Sequence, residues 1–225
     1  MLSERIAFYC GGIMFNIKKP IIYGCALMML GSSIALIQNT NLGMAPWDAL
    51  ARNFYEGIPI QYTYLSPILS VILITLAYLI QWRRWEIKMM IPVLVSTLIG
   101  FSIDLALLFI PNVSELHVFW NYLYLFLGMI LISFALNVII YCGYILPALE
   151  QFIQSISICF NVSFGRAKLI GEIIAFALTI LFGFLFQHQD SFFYIGQTTI
   201  IILLFIGLTI DLMRKPTYYL LGRIL

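Results

Sequence analysis

Long apolar blocks separated by short polar ones set the pattern of this chain. Six blocks reach or approach the roughly 20 residues that a helix needs to cross a bilayer. They lie at about 20–38, 62–81, 89–110, 119–141, 167–187 and 194–213. The fold class this predicts is all-α, a polytopic membrane helical bundle of about six transmembrane helices in a single membrane domain over 1–225. Aromatic residues flank the blocks as interfacial anchors do: Trp82 and Trp85, Trp120, then Tyr218 and Tyr219. A further apolar run, Ile6–Phe15, ends at Lys18-Lys19-Pro20 without a small-residue cleavage site. It reads as an interfacial helix or an extension of the first span rather than a cleavable signal.

Two shorter segments interrupt the blocks, and each starts at a proline. Proline suits a first helical turn, where its missing N–H costs nothing. After Pro46, the side chains of Trp47, Leu50, Phe54 and Ile58 share one helical face, and Asp48, Arg52 and Glu56 lie off it. After Pro147, Leu149, Phe152, Ile153, Ile156 and Phe160 share a face, with Glu150, Gln151 and Gln154 off it. Segments 46–58 and 147–160 are too short to span the membrane. They are either interfacial helices or re-entrant half-helices.

Charge gives the orientation. With six spans and an inner N-terminus, Arg5, Lys18, Lys19, Arg83, Arg84, Lys88, Arg166, Lys168, Arg214, Lys215 and Arg223 fall on the cytoplasmic side, and Arg52 alone falls outside. This asymmetry places both termini in the cytoplasm of a bacterial plasma membrane. Composition agrees: the chain is 62% hydrophobic and 10% charged, against about 25% charged in soluble domains. The net charge of +2 is too small to suggest a nucleic-acid partner, and none is expected.

The two halves resemble each other. Gly100-Phe-Ser-Ile-Asp104-Leu105 ends the third block and Gly207-Leu-Thr-Ile-Asp211-Leu212 ends the sixth. Upstream, Gly43-Met-Ala-Pro46-Trp47-Asp48 follows the first block and Gly143-Tyr-Ile-Leu-Pro147-Ala-Leu-Glu150 follows the fourth. Three spans per half reverse direction, so the expected arrangement is two inverted repeats, about 20–110 and 119–213. Around Leu42-Gly43-Met-Ala-Pro46-Trp47-Asp48, with Gly57 and the GxxxD end of the third block, the chain resembles the YczE/YyaS/YitT family of bacterial integral membrane proteins, its YczE-like branch above all. The resemblance covers nearly the whole length. It implies membrane location and this fold, and a transport role is often supposed for such proteins. Members more often carry a glycine before the second proline and a smaller aspartate motif, where this chain has Pro147-Ala-Leu-Glu150.

Candidate chemistry is sparse. There is no HExxH, P-loop, nucleophile elbow or Cys–His pairing, so an enzyme is not expected, nor a cofactor. Cys10, Cys25, Cys142 and Cys159 read as small apolar filler. His117, His188 and Asp190 read as outer-loop residues rather than metal ligands. Asp104 and Asp211 read as structural acids, with Asp211 spaced to pair with Arg214 or Lys215. Glu172, four residues after Lys168, is either a local ion pair or an inward-facing site residue. Asp48 either caps a helix or binds a ligand. If both proline segments dip inward, their N-termini meet in a central substrate site. Asn41, Gly43, Pro46, Trp47, Asp48, Asn137, Gly143, Pro147, Glu150 and Glu172 are its candidates. The leading function is secondary transport or export of a small neutral, zwitterionic or amphipathic organic solute. The alternative is a non-transporting accessory or scaffold protein, or the substrate-binding subunit of a partner-energised system. The expected partners are the lipid bilayer and a small solute; homo-oligomerisation is left open. Reporter fusions test the topology: a C-terminal fusion should be active only when the reporter works in the cytoplasm, and an externally active one excludes the six-span arrangement.

Overall fold

A helix closes its own backbone hydrogen bonds, which is the condition for crossing lipid. The apolar blocks accordingly form helices. The computed structural model describes residues 18–57, 62–81, 90–185 and 194–225, with no side chain between 54 and 66. Among these residues it contains eight helices: α1 (Lys18–Gln38), α2 (Pro46–Gly57), α3 (Tyr62–Ile80), α4 (Ile91–Phe109), α5 (Val118–Cys142), α6 (Ala148–Phe160), α7 (Phe164–Leu185) and α8 (Gln197–Ile224). The expectations for Ile6–Phe15, Trp82, Trp85, His188, Asp190, and the Phe54 and Ile58 face lie outside the described residues.

Five helices, α1, α4, α5, α7 and α8, are long and apolar enough to cross a membrane. The sequence pattern predicts a sixth at 62–81. There the structure places α3, 19 residues long, with an apolar stretch described over Pro67–Ile80. α8 runs beyond the expected end at 213 and continues through Pro216 to Ile224. The reason is packing: Thr217 and Leu221 are buried, and Tyr218 meets the ring of Tyr141 on α5 at 5.0 Å. Both proline-led segments are helices, as their periodicity predicts.

α1 and α5 form the centre of the bundle and run antiparallel. Cys142 lies against the start of α1 at Lys19, while Asn121, near the start of α5, accepts from the Asn41 N–H just past its end. Gly128 makes the approach possible, since a Cβ there would stand 2.6 Å from Ile37 Cγ1 and 3.0 Å from Ser33 O. α4 runs beside α1, and α8 beside α5. The helix contacts come in matched pairs. α1 packs on α4 as α5 packs on α8, and α3 on α4 as α7 on α8. Likewise α2 packs on α7 as α6 packs on α3.

Loop geometry fixes where the short helices enter. Gly43 adopts φ +97° against Gly196, a Cβ on it falling 2.6 Å from Gly196 Cα. The strand-like pairing there consists of Met44 N–H to Tyr194 O (3.1 Å) and Thr198 N–H to Leu42 O (2.9 Å). Gly143 ends α5 in the left-handed region, φ +69°, where glycine bears no steric penalty. On the opposite side of the pairing, the Ala148 N–H at the start of α6 donates to Ser96 Oγ of α4 (2.8 Å).

The seam between α7 and α8 is a close backbone contact: a Cβ on Gly207 would lie 2.3 Å from Gly165 O, whereas Gly100 meets nothing within 4 Å. Gly207→Val should therefore lower the thermal midpoint of the detergent-solubilised protein, at a cost of about 1–3 kcal/mol for overpacking. Gly100→Val should leave it nearly unchanged, and equal effects would deny the seam its role.

Candidate charged site on helix α7

Residues three to four apart share a helix face. On α7 that spacing lines up Lys168, Glu172, Ala175 and Thr179, all buried. α2 packs across one end of this face. Thr179 Oγ1 donates to Pro46 O (3.2 Å), and Asn53 Nδ2 donates to Thr179 O (2.9 Å). α6 packs at the other end through Glu150 and Ile153. Gly171 provides the clearance between them. A Cβ on it would lie 2.2 Å from Ile153 Cδ1 of α6 and 4.0 Å from Trp47 Cζ2 of α2. The two proline-led helices thus converge on one turn of α7.

A shared ammonium occupies the convergence. Lys168 Nζ stands 3.3 Å from Glu172 Oε1 and 3.7 Å from Glu150 Oε1. The three residues are 5%, 3% and 6% exposed for Lys168, Glu172 and Glu150, so water screens the ions little and the pairing is required. The carboxylate of Asp48, partly buried, also feels Lys168 and Glu172 electrostatically. Asp48 and Glu150 each lie in the first turn of their helix, where the dipole favours a carboxylate. Trp47 and Phe152 join the two short helices edge to face, centroids 6.1 Å apart. Three buried polar atoms here lack a partner: Glu172 Oε2, Trp47 Nε1 and Asn53 Oδ1. Such orphans are rare in well-packed proteins. Lys168, Glu150 and Glu172 are buried, and two clefts, one lined by Pro20, Tyr23 and Val95 and one by Met28, Ser102 and Phe109, do not reach them.

Of the residues nominated from sequence, Trp47, Asp48, Glu150 and Glu172 meet here, and Gly43, Pro46, Gly143 and Pro147 shape the approaches. The asparagines do not belong to the site. Asn41 donates to Ser114 O in an exposed loop (2.7 Å). Asn137 Nδ2 donates to Ser133 O and Ile210 O, both at 2.8 Å, and clamps α5 to α8. Glu150, expected off the apolar face of its helix, is buried because Lys168 compensates it. Lys168, counted from sequence among the cytoplasmic charges, is buried in the bundle. Its four-residue spacing to Glu172 was legible, but its burial was not.

The structural acids differ from each other. Asp211 does not pair with Arg214 or Lys215. It accepts from Ser163 Oγ (2.5 Å) and the Gly165 N–H (3.2 Å), holding the start of α7, and Arg214 lies over the Tyr218 ring. Asp104 is exposed and has no partner among the described residues. His117 accepts from the Phe119 N–H and caps α5. No group of three metal-ligating side chains occurs among the described residues.

Fold and site together define a multi-pass α-helical membrane protein with a buried charge cluster where two short helices meet a spanning one. The chain belongs to the DUF6198 family, a family of unknown function, whose model matches residues 17–215. No curated protein and no solved structure matches it.

Removing one partner of a buried ion network leaves the others uncompensated, at about 3–5 kcal/mol. Lys168→Met should therefore lower the thermal midpoint sharply. Adding Glu150→Gln and Glu172→Gln to Lys168→Met should recover most of the loss, and a triple variant no better than the single would mean that the charges do not interact.

Proposed function

We propose that the chain is a secondary transporter or exporter of a small organic solute in the bacterial plasma membrane. The observation that carries the reading is the convergence of α2 and α6 on the Lys168–Glu172 turn of α7. Ionisable groups inside a membrane bundle are costly and are characteristic of solute and proton pathways. Short helices whose N-termini face a central site are a recurrent transporter device.

In this reading the matched helix pairings express two inverted repeats, α1–α4 and α5–α8, and α3 makes a sixth crossing. Both termini are then cytoplasmic, and the positive-inside asymmetry supports that even without Lys168. The likeness of the Gly43–Asp48 segment to YczE-like proteins fits the same picture. No chemistry beyond binding is invoked, so the protein is not an enzyme in this proposal.

One observation favours the second reading, an accessory or scaffold protein: the charged turn is buried, and neither of the two clefts described above leads to it. A transporter requires that closure to be one state of a cycle in which each side opens in turn.

Untargeted metabolite profiling of cells lacking and overproducing the protein, with Glu172→Gln as the control, tests the transport reading directly. Cysteine substitutions at Ala45, Asp48, Ala148 and Glu150, in a background without native cysteines, test its geometry. A water-soluble thiol reagent should label both segments, and one solute should alter both patterns. Labelling confined to opposite faces and indifferent to every solute favours the scaffold.

A further inference from the structure

We propose that the seat on α7 takes a protonated organic amine, and that Lys168 is a tethered plug that fills the seat when no amine is bound. This rests on the transport reading above and narrows its cargo.

The charge balance points to a cation. Glu150 and Glu172 flank a single ammonium, and Asp48 acts on it electrostatically from farther off. The N-termini of α2 and α6 offset about half a charge each. With all three carboxylates ionised the remaining deficit is about one positive charge, which a monovalent cation closes. An anion is disfavoured, because Asp48 and Glu150 already occupy the two helix N-termini.

Hydrogen-bonding capacity points the same way. Glu172 is 3% exposed, yet its Oε2 has no donor. A buried carboxylate oxygen in that condition calls for an N–H or O–H from outside the chain. Trp47 Nε1, whose ring edge lies beside Gly171, is a buried donor without an acceptor. An amine that also carries a hydroxyl serves both atoms.

The walls favour an organic cation over a bare metal ion. Trp47 and Ile153 lie beside the same turn, and Phe152 meets the Trp47 ring. Aromatic faces attract ammonium groups, and apolar side chains suit a carbon skeleton, whereas calcium takes six to eight oxygen ligands. The closure then follows from Lys168. Its four-carbon stem places an ammonium where the cargo's would sit. An arriving amine exchanges one positive charge for another, so the seat is never left uncompensated, and the flexible lysine stem can swing aside.

The test uses the full chain in phosphatidylglycerol nanodiscs, which carry no lipid ammonium. The probe is 2-amino-1-phenylethanol, compared with its neutral isostere 1-phenyl-1,2-ethanediol and with mandelate. The amine should raise the thermal midpoint and change tryptophan fluorescence saturably, and the diol and mandelate should not. Lys168→Met should bind the amine about tenfold more tightly, a plug having been removed, and should regain thermal midpoint when the amine is added. Glu172→Gln should bind about tenfold more weakly. A diol as effective as the amine, or an amine bound more weakly by Lys168→Met than by the unaltered chain, overturns the proposal. If Lys168→Met yields no folded protein, Lys168→Arg, a plug held by more hydrogen bonds, should weaken amine binding about tenfold, and unchanged binding overturns the proposal. An amine response abolished by added phosphatidylethanolamine overturns the free-amine assignment in favour of a lipid headgroup. Amine binding without flux in cells removes the transport reading and keeps the seat. Flux of neutral solutes with no amine binding removes the seat and keeps transport.

Discussion

An ammonium cannot be buried in a membrane bundle without carboxylates to hold it, and Lys168 is buried between two. That requirement ties together elements far apart in the chain. Glu172 belongs to the same helix, Glu150 to the short helix before it, and Asp48 to the short helix of the first half. Removing any one leaves charge in a place where water screens it little. The interaction therefore does more than add stability. It also ties the first turn of α6 to α7, because Glu150 must lie against the lysine.

Close backbone approach makes the ionic arrangement sterically possible. Gly171 admits Ile153 from one side and Trp47 from the other, and Gly165 lets α8 lie against the start of α7. Van der Waals packing between helices is a principal source of their association in lipid, where apolar burial gives little. Small residues at these crossings are thus as necessary as the charges. Asp211 adds a polar fastening at the same end of α7, through Ser163 and the Gly165 N–H.

The halves of the chain share a helix order and a set of contacts, but not their chemistry. Gly207 is packed and Gly100 is open; Asp211 caps a helix and Asp104 is exposed. The spanning helix that carries the ion pair, α7, has α3 as its positional counterpart, and α3 has no lysine or glutamate within Tyr62–Ile80. The first half contributes a short helix with its aspartate and tryptophan, and the second contributes the lysine and both glutamates.

Helical class, the positions of the spanning and short helices, and the residues able to carry charge were all legible in the sequence, because periodicity, proline placement and hydropathy act locally. The short helices from Pro46 and near Pro147 came out nearly where the spacing put them. Other features depended on partners distant in the chain. Glu150 looked like the polar side of an amphipathic helix and Lys168 like a cytoplasmic charge. Asp211 looked like the mate of Arg214, and Asn137 like a candidate ligand residue. Each of these readings used only near neighbours. Burial of an ion, the target of a hydrogen bond and the run of α8 beyond residue 213 are decided by which helix lies opposite, and that follows from the close crossings at Gly128, Gly165 and Gly171, which only the tertiary structure brings into contact.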